Sequence, residues 1–88
     1  MNTRISLTQG TTLTDVGGRQ VLFSVKTGES FGLNDTAAHM LVLCMELGTQ
    51  KAVEQLARDY EVSPEELTQD LHELLDGLKN ARMIQLGG

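Results

Sequence analysis

Side-chain catalysis needs a nucleophile, a base and an orienting group held together, and a metal needs three or more His, Cys, Asp or Glu ligands at matched spacing. The chain has two histidines, His39 and His72, and one cysteine, Cys44. The histidines are far apart in sequence, each on a segment with helical periodicity, where a lone His is usually a surface or boundary residue. No nucleophile elbow surrounds any serine. Gly17-Gly18 and Gly28 stand at turns and lack the spacing of a phosphate loop. Glu66, Asp70, Glu73 and Asp76 could suggest paired carboxylates. A solvated helix face explains them more simply, with some left to border a binding groove. The expectation is a chain that is not an enzyme and uses no metal and no cofactor.

Cys44 lies in the apolar run Met40-Leu41-Val42-Leu43-Cys44-Met45 and reads as a small buried hydrophobe. Without a second cysteine there is no intramolecular disulfide. The 88 residues suit one small domain, 1–88, with 1–10 and 87–88 as candidate loose ends. Aromatic residues are Phe23, Phe31 and Tyr60, so a core must be built from Leu, Val, Ile, Ala and Met. No signal-peptide core opens MNTRISLTQG, and no apolar run approaches the ~20 residues of a membrane span, so a cytoplasmic protein is expected. The net charge of −5 is uneven: residues 1–33 hold three basic and two acidic side chains (+1), residues 34–88 four basic and ten acidic (−6). So acidic a second half repels phosphate backbones.

The elements follow from periodicity. Ile5 and Leu7 alternate, and either lie against a sheet or form a loose lead-in. TTLTDV (11–16) and QVLFSV (20–25) alternate as strands around Gly17-Gly18, a type I′ hairpin signal. Leu13, with Thr11, shares one face of the first; Val21, Phe23 and Val25 share one face of the second. Residues 26–29 turn the chain again into Ser30-Phe31-Gly32-Leu33. That third strand runs directly into Asn34, a helix N-cap candidate, with Asp35 and Thr36 as alternatives. At a sheet edge it would leave N–H and C=O groups free to pair with another chain.

From residue 34 the period becomes helical. Ala37, Met40, Leu41, Leu43, Cys44 and Leu47 make one buried helix, stopped by Gly48. A second runs from about Gln50 to Tyr60 behind a Thr49 cap, with Val53, Leu56, Ala57 and Tyr60 on one side. Ser63-Pro64-Glu65-Glu66 opens a third with a capping box, and Leu67, Leu71, Leu74, Leu75 and Leu78 form its stripe. Met83-Ile84-Gln85-Leu86 either packs back or adds a stub of strand. The expected class is α+β: a three-stranded antiparallel sheet followed by three helices, winged helix-turn-helix in outline. A DNA reader would present Arg, Lys, Asn or Gln from the last helix. Here that helix offers Glu66, Thr68, Gln69, Asp70 and Glu73, which disfavours a winged-helix regulator.

The run T-G-x-x-F-G-L-N-x-T-A-A (27–38), the segment A-V-E-Q-L-A (52–57) and Y-E-V-S-P-E-E-L-x-x-D-L-x-x-L-L-x-x-L (60–78) together resemble the PqqD-like family. These are the peptide-recognition domains of ribosomally made, post-translationally modified peptide pathways, and the resemblance covers about residues 11–84. It implies a non-catalytic module in which the leader of a precursor peptide adds as an antiparallel strand and lies against the third helix. Carried onto this chain, the site is Glu29, Ser30, Phe31, Gly32 and Leu33 with Leu67, Asp70, Leu71, Leu74, Leu75 and Leu78. Phe31 is either an anchor for the guest or plain core. The closest likeness is to stand-alone leader-binding proteins of lasso-peptide pathways, which implies a separate leader peptidase and a cyclase or other modifying enzyme. The pyrroloquinoline quinone chaperones are the runner-up. A monomer or weak homodimer is expected, with neither nucleic acid nor membrane as partner. Leu33→Pro would probe the edge, provided the Leu33 N–H is an outward one.

Overall fold

A computed structural model of the chain describes residues 3–87. In order the elements are β1 (Ile5–Leu7), β2 (Thr11–Val16), β3 (Arg19–Ser24), β4 (Ser30–Leu33), α1 (Asp35–Leu47), α2 (Thr49–Tyr60), α3 (Pro64–Asn80) and β5 (Ile84–Leu86). The expected antiparallel sheet followed by three helices is present, with strand order β2-β3-β4. Gly17 and Gly18 both take positive φ, as a two-residue hairpin turn requires, and the Gly18 N–H donates to Asp15 Oδ1 at 2.8 Å.

The helices pack on one face of this sheet. Leu22, Leu41, Leu56, Leu71, Leu78, Met83, Cys44 and Ile5 are the largest fully buried side chains of the resulting core. Asn34 caps α1 through its Oδ1, which accepts from the Ala37 N–H at 2.7 Å. Ser63 caps α3, its Oγ accepting from the Glu66 N–H at 3.3 Å, with Pro64 in the first turn. Burial pushes the Cys44 thiol up to about 11, since the thiolate would lose its hydration among apolar neighbours.

Several expectations are corrected. Thr49 is not a cap but the first residue of α2; Gly48 precedes it, and the Thr49 hydroxyl instead accepts from the Thr3 N–H at 3.3 Å. Tyr60 does not share the buried side of α2: it is exposed, its hydroxyl 3.0 Å from His39 Nδ1. Residues 5–7 are no loose lead-in. β1 pairs antiparallel with β5 in the register Ile5↔Leu86, Ser6↔Gln85, Leu7↔Ile84, and the Gly87 N–H donates to Arg4 O at 2.9 Å. Ile5, Met83 and Ile84 are buried, so this second small sheet closes the core below the helices. Gly88, the other residue of the expected loose end, lies outside the described residues.

The chain reaches β5 by a tight reversal after α3. The Arg82 N–H donates to Lys79 O at 3.0 Å and the Met83 N–H to Leu78 O at 2.9 Å, the two bonds of a Schellman motif, with buried Leu78 and Met83 as its apolar pair. Its left-handed position is usually glycine, yet Arg82 occupies it at φ 59°. Strain of about 1–2 kcal/mol there exceeds the roughly 0.4–1 kcal/mol of unfolded-chain entropy that a glycine adds. Arg82→Gly is therefore expected to stabilise the fold by about 0.5–1 kcal/mol in urea titration, and a loss of stability would contradict this account.

The thiol gives a second expected outcome. Its folded value lies above the ordinary 9.0, so Cys44 contributes its full stabilisation below pH 9 and loses it as pH rises toward about 11. In the folded protein at pH 8, a thiol reagent should react with Cys44 only at the rate of opening.

Candidate functional site

β4 pairs with β3 in the register Phe23↔Ser30, Leu22↔Phe31, Val21↔Gly32, Gln20↔Leu33. Which of these pairs exchange hydrogen bonds is decided one step earlier. The Gly28 N–H donates to Ser24 O at 2.8 Å and the Ser24 N–H donates to Glu29 O at 3.0 Å. Two residues thus oppose one, a β-bulge led by a glycine at φ +76°. Antiparallel bonding alternates, so from Ser24 onward Leu22↔Phe31 and Gln20↔Leu33 are the bonded pairs. On the far side of β3, the Val25 N–H reaches Gly10 O at 2.9 Å, which gives the same parity. Ser30 and Gly32 therefore turn their N–H and C=O outward, and no described residue pairs with them.

At β2, the other edge of the sheet, the Thr11 N–H donates to Thr8 O at 3.0 Å, and the same parity turns Leu13 and Asp15 outward. β4 is also the edge that lies beside α3. Phe31 is half-buried, and its ring reaches across to α3, where a Cβ placed on Gly77 would lie 3.7 Å from Phe31 Cζ. Just past the end of β4 is a recess of about 360 Å³ lined by Asn34, Thr36, Ala37, Met40, Asp70, Glu73 and Leu74. The strand edge, Phe31 and this recess form a track with hydrogen-bonding groups along one side and a mixed floor, apolar at Phe31, Ala37, Met40 and Leu74 and polar at Asn34 and Thr36. Two carboxylates, Asp70 and Glu73, stand at its end.

The expected site residues divide. Ser30, Phe31, Gly32, Asp70 and Leu74 come together along this track. Glu29 is exposed, but its carbonyl is spent on Ser24. Leu33 turns its N–H toward β3 and buries its side chain, 2% exposed, so Leu33→Pro would break the sheet and not probe its edge. Leu67, Leu71 and Leu78 are 5%, 2% and 0% exposed; core packing claims them, and none of them lines the recess beside β4. Leu75 faces a different concavity, of about 700 Å³, between α2 and α3, lined among others by Val53, Pro64, Leu71, His72 and Leu86. That cavity is the larger of the two and lies away from β4, with Leu86 of β5 in its lining. Asn34, Ala37 and Met40 border the recess besides their expected cap and core roles, Glu73 is among the carboxylates expected to border a groove, and Gly77, a glycine inside a helix, has no expected role. Among the described residues no group of three or more His, Cys, Asp or Glu could hold a metal ion. No helix there is long and apolar enough to cross a membrane.

Fold and edge together define a small winged-helix-like domain with a vacant strand position. The family model for coenzyme PQQ synthesis protein D (PqqD) matches residues 19–84, and the chain belongs to that family. Among solved structures the fold is similar to lasso peptide synthetase B1 complexed with the leader peptide, with TM-score 0.85 and 24% identity over 93% of this chain and 98% of that one. It is also similar to TbiB1 in complex with the TbiA(beta) leader peptide, with TM-score 0.81 and 21% identity over 91% and 94%. No curated protein matches the chain.

Ladder parity predicts opposite outcomes for two neighbouring prolines. Gly32→Pro removes an N–H that bonds nothing in the chain, and a Cβ there meets open space, so stability should change by no more than about 1 kcal/mol. Leu33→Pro should cost about 3 kcal/mol or more. Equal thermal shifts for the two variants would refute the parity.

Proposed function

We propose that this protein is a non-catalytic leader-peptide-binding protein that captures the leader of a ribosomally made precursor peptide by strand addition at β4. It hands the bound peptide to a separate leader peptidase and a cyclase or other modifying enzyme, in lasso-peptide or related biosynthesis. The observation that carries this reading is the pair of outward backbone groups at Ser30 and Gly32 beside the Phe31–Leu74 track. Edge hydrogen bonds give affinity independent of sequence, and the track selects alternate side chains. Family membership supports the reading, as does the presence of leader peptides in the two solved structures of this fold. An antiparallel guest would place its N-terminal end over Asp70 and Glu73, which favour a cationic residue there and salt-sensitive binding.

A second reading, chaperoning of the peptide that becomes pyrroloquinoline quinone, is favoured by the description of the matching family. It uses the same edge and differs in the peptide bound. Titration of each synthetic precursor peptide against the chain separates the two.

For the cognate leader a micromolar or tighter dissociation constant is expected, roughly −8 kcal/mol or better. Gly32→Pro should weaken binding about tenfold, the worth of one hydrogen bond with a modest steric penalty. Leu74→Asp should weaken it as much or more, whereas Leu75→Asp, on the other flank of α3, should leave it unchanged. Loss of affinity with Leu75→Asp and not with Leu74→Asp would move the site to the larger cavity and refute strand addition.

A further inference from the structure

The small sheet of β1 and β5 is set apart by charge. All twelve acidic side chains of the chain lie within residues 15–76, beside four basic ones, whereas residues 1–14 and 77–88 hold Arg4, Lys79 and Arg82 and no carboxylate. Folding brings those two segments together. The Gly87 N–H donates to Arg4 O, and Thr8 Oγ1 donates to Arg82 O at 2.7 Å, so a cation stands at each end of the pairing. Lys79 is on the adjoining last turn of α3. All three are exposed, and among the described residues none makes an ion pair. In a protein of net charge −5 this is a local positive surface.

Lys79 also lines the concavity of about 700 Å³ between α2 and α3, together with Leu86, which is 49% exposed. The Thr8 N–H donates to Met83 O and the Gly87 N–H to Arg4 O, so 8↔83, 6↔85 and 4↔87 are the bonded pairs. Ile84 and Leu86 therefore turn their N–H and C=O away from β1; Ile84 is buried, and Leu86 is left open to a partner. The same surface of a second copy does not fill the concavity, because a two-fold axis sets concave against concave. It takes a protruding segment of another protein.

The direction of the guest at β4 says which protein. Phe31 lies beside Gly77, whereas the recess past the end of β4 is walled by Asp70, Glu73 and Leu74. A guest antiparallel to β4 therefore runs along α3 from Asp70 toward the end of the helix and leaves past Ser30. There Ser24 pairs with Thr11, Thr11 meets Thr8, and Thr8 meets Arg82. The part of the precursor that follows its leader thus emerges beside the positive sheet. Resting on the strand-addition reading, we propose that this sheet and the α2–α3 concavity dock an acidic segment of the enzyme that modifies that emerging part. An apolar side chain of the segment seats against Leu86 in the concavity, and its carboxylates meet Arg4, Lys79 and Arg82. Glu54 and Asp76, also in the lining, keep those carboxylates on the β5 side. The site is on the Leu75 flank of α3 and the leader on the Leu74 flank, so both partners bind at once.

The test uses the full chain, its synthetic leader, and the purified leader peptidase and modifying enzyme encoded beside it. Leu86→Asp and, separately, Lys79→Glu alter exposed side chains and should keep the wild-type circular dichroism. Each should weaken binding of the modifying enzyme about tenfold or more while holding leader affinity within about twofold of wild type. Lys79→Arg, which keeps the charge, should bind the enzyme as the wild type does. Added salt should weaken the wild-type complex more than the Lys79→Glu one. No binding of the modifying enzyme to the wild-type chain, or wild-type affinity in both variants, overturns the proposal. So does a loss that falls on the peptidase alone, and so does a wild-type homodimer in sedimentation that Leu86→Asp breaks. If Leu86→Asp loses its circular dichroism, Lys79→Glu decides. If the wild-type chain binds no leader, strand addition fails on that measurement alone, and titration of the enzyme without leader still decides this surface.

Discussion

The alternation of hydrogen bonds along β4 is the constraint on which the rest depends. An edge strand can give only every second residue to its neighbour; the others must find water or a guest. Here the parity is pinned at both ends. The bulge at Gly28 sets it where the strand begins, and the Asn34 cap on α1 stops the chain from sliding where the strand ends. A four-residue strand held in this way presents its outward amides in one arrangement. Little ordering is left to oppose association, which is the general advantage of a preorganised site.

α3 serves two purposes with one stripe of leucines. Leu67, Leu71 and Leu78 are buried and fix the helix to the sheet and to α2, while Leu74 and Gly77 turn the remaining surface toward β4. The division matters energetically. Truncating a buried leucine would cost about 2–5 kcal/mol of stability, so these residues are not free to vary with a ligand. The residues that vary at little cost are those on the track and around it. Beneath the helices, pairing of β1 with β5 ties residues near both ends of the chain into the core, and Thr3 meets the start of α2. The helical layer is therefore clamped from below while the β4 edge stays open.

Ownership of the sheet's two faces follows the same logic. Leu22 and Leu33 are buried toward the helices, whereas Val21, Phe23 and Val25 stand on the opposite side. The face that no helix covers mixes these apolar side chains with Thr12, Thr14, Arg19 and Ser30, as a sheet face open to water commonly does.

Much of this was legible in the residues themselves. Gly17-Gly18 dictated a hairpin, Asn34 and Ser63-Pro64 dictated where two helices begin, and the three-to-four-residue spacing of leucines dictated α3, because these signals act through local backbone geometry. The motif at residues 27–38 also placed the edge strand correctly. Tertiary structure alone decided the remainder. Periodicity shows that two sets of side chains alternate, but not which set the helices cover; Val21, Phe23 and Val25 went outward because Leu22 took the core. Nor does it show which amides of β4 face out, since one extra residue in a bulge reverses the answer. The pairing of residues 5–7 with 84–86 depends on a meeting of distant segments that no local signal encodes, and so does the placement of Leu74 and Leu75 on opposite flanks of one helix.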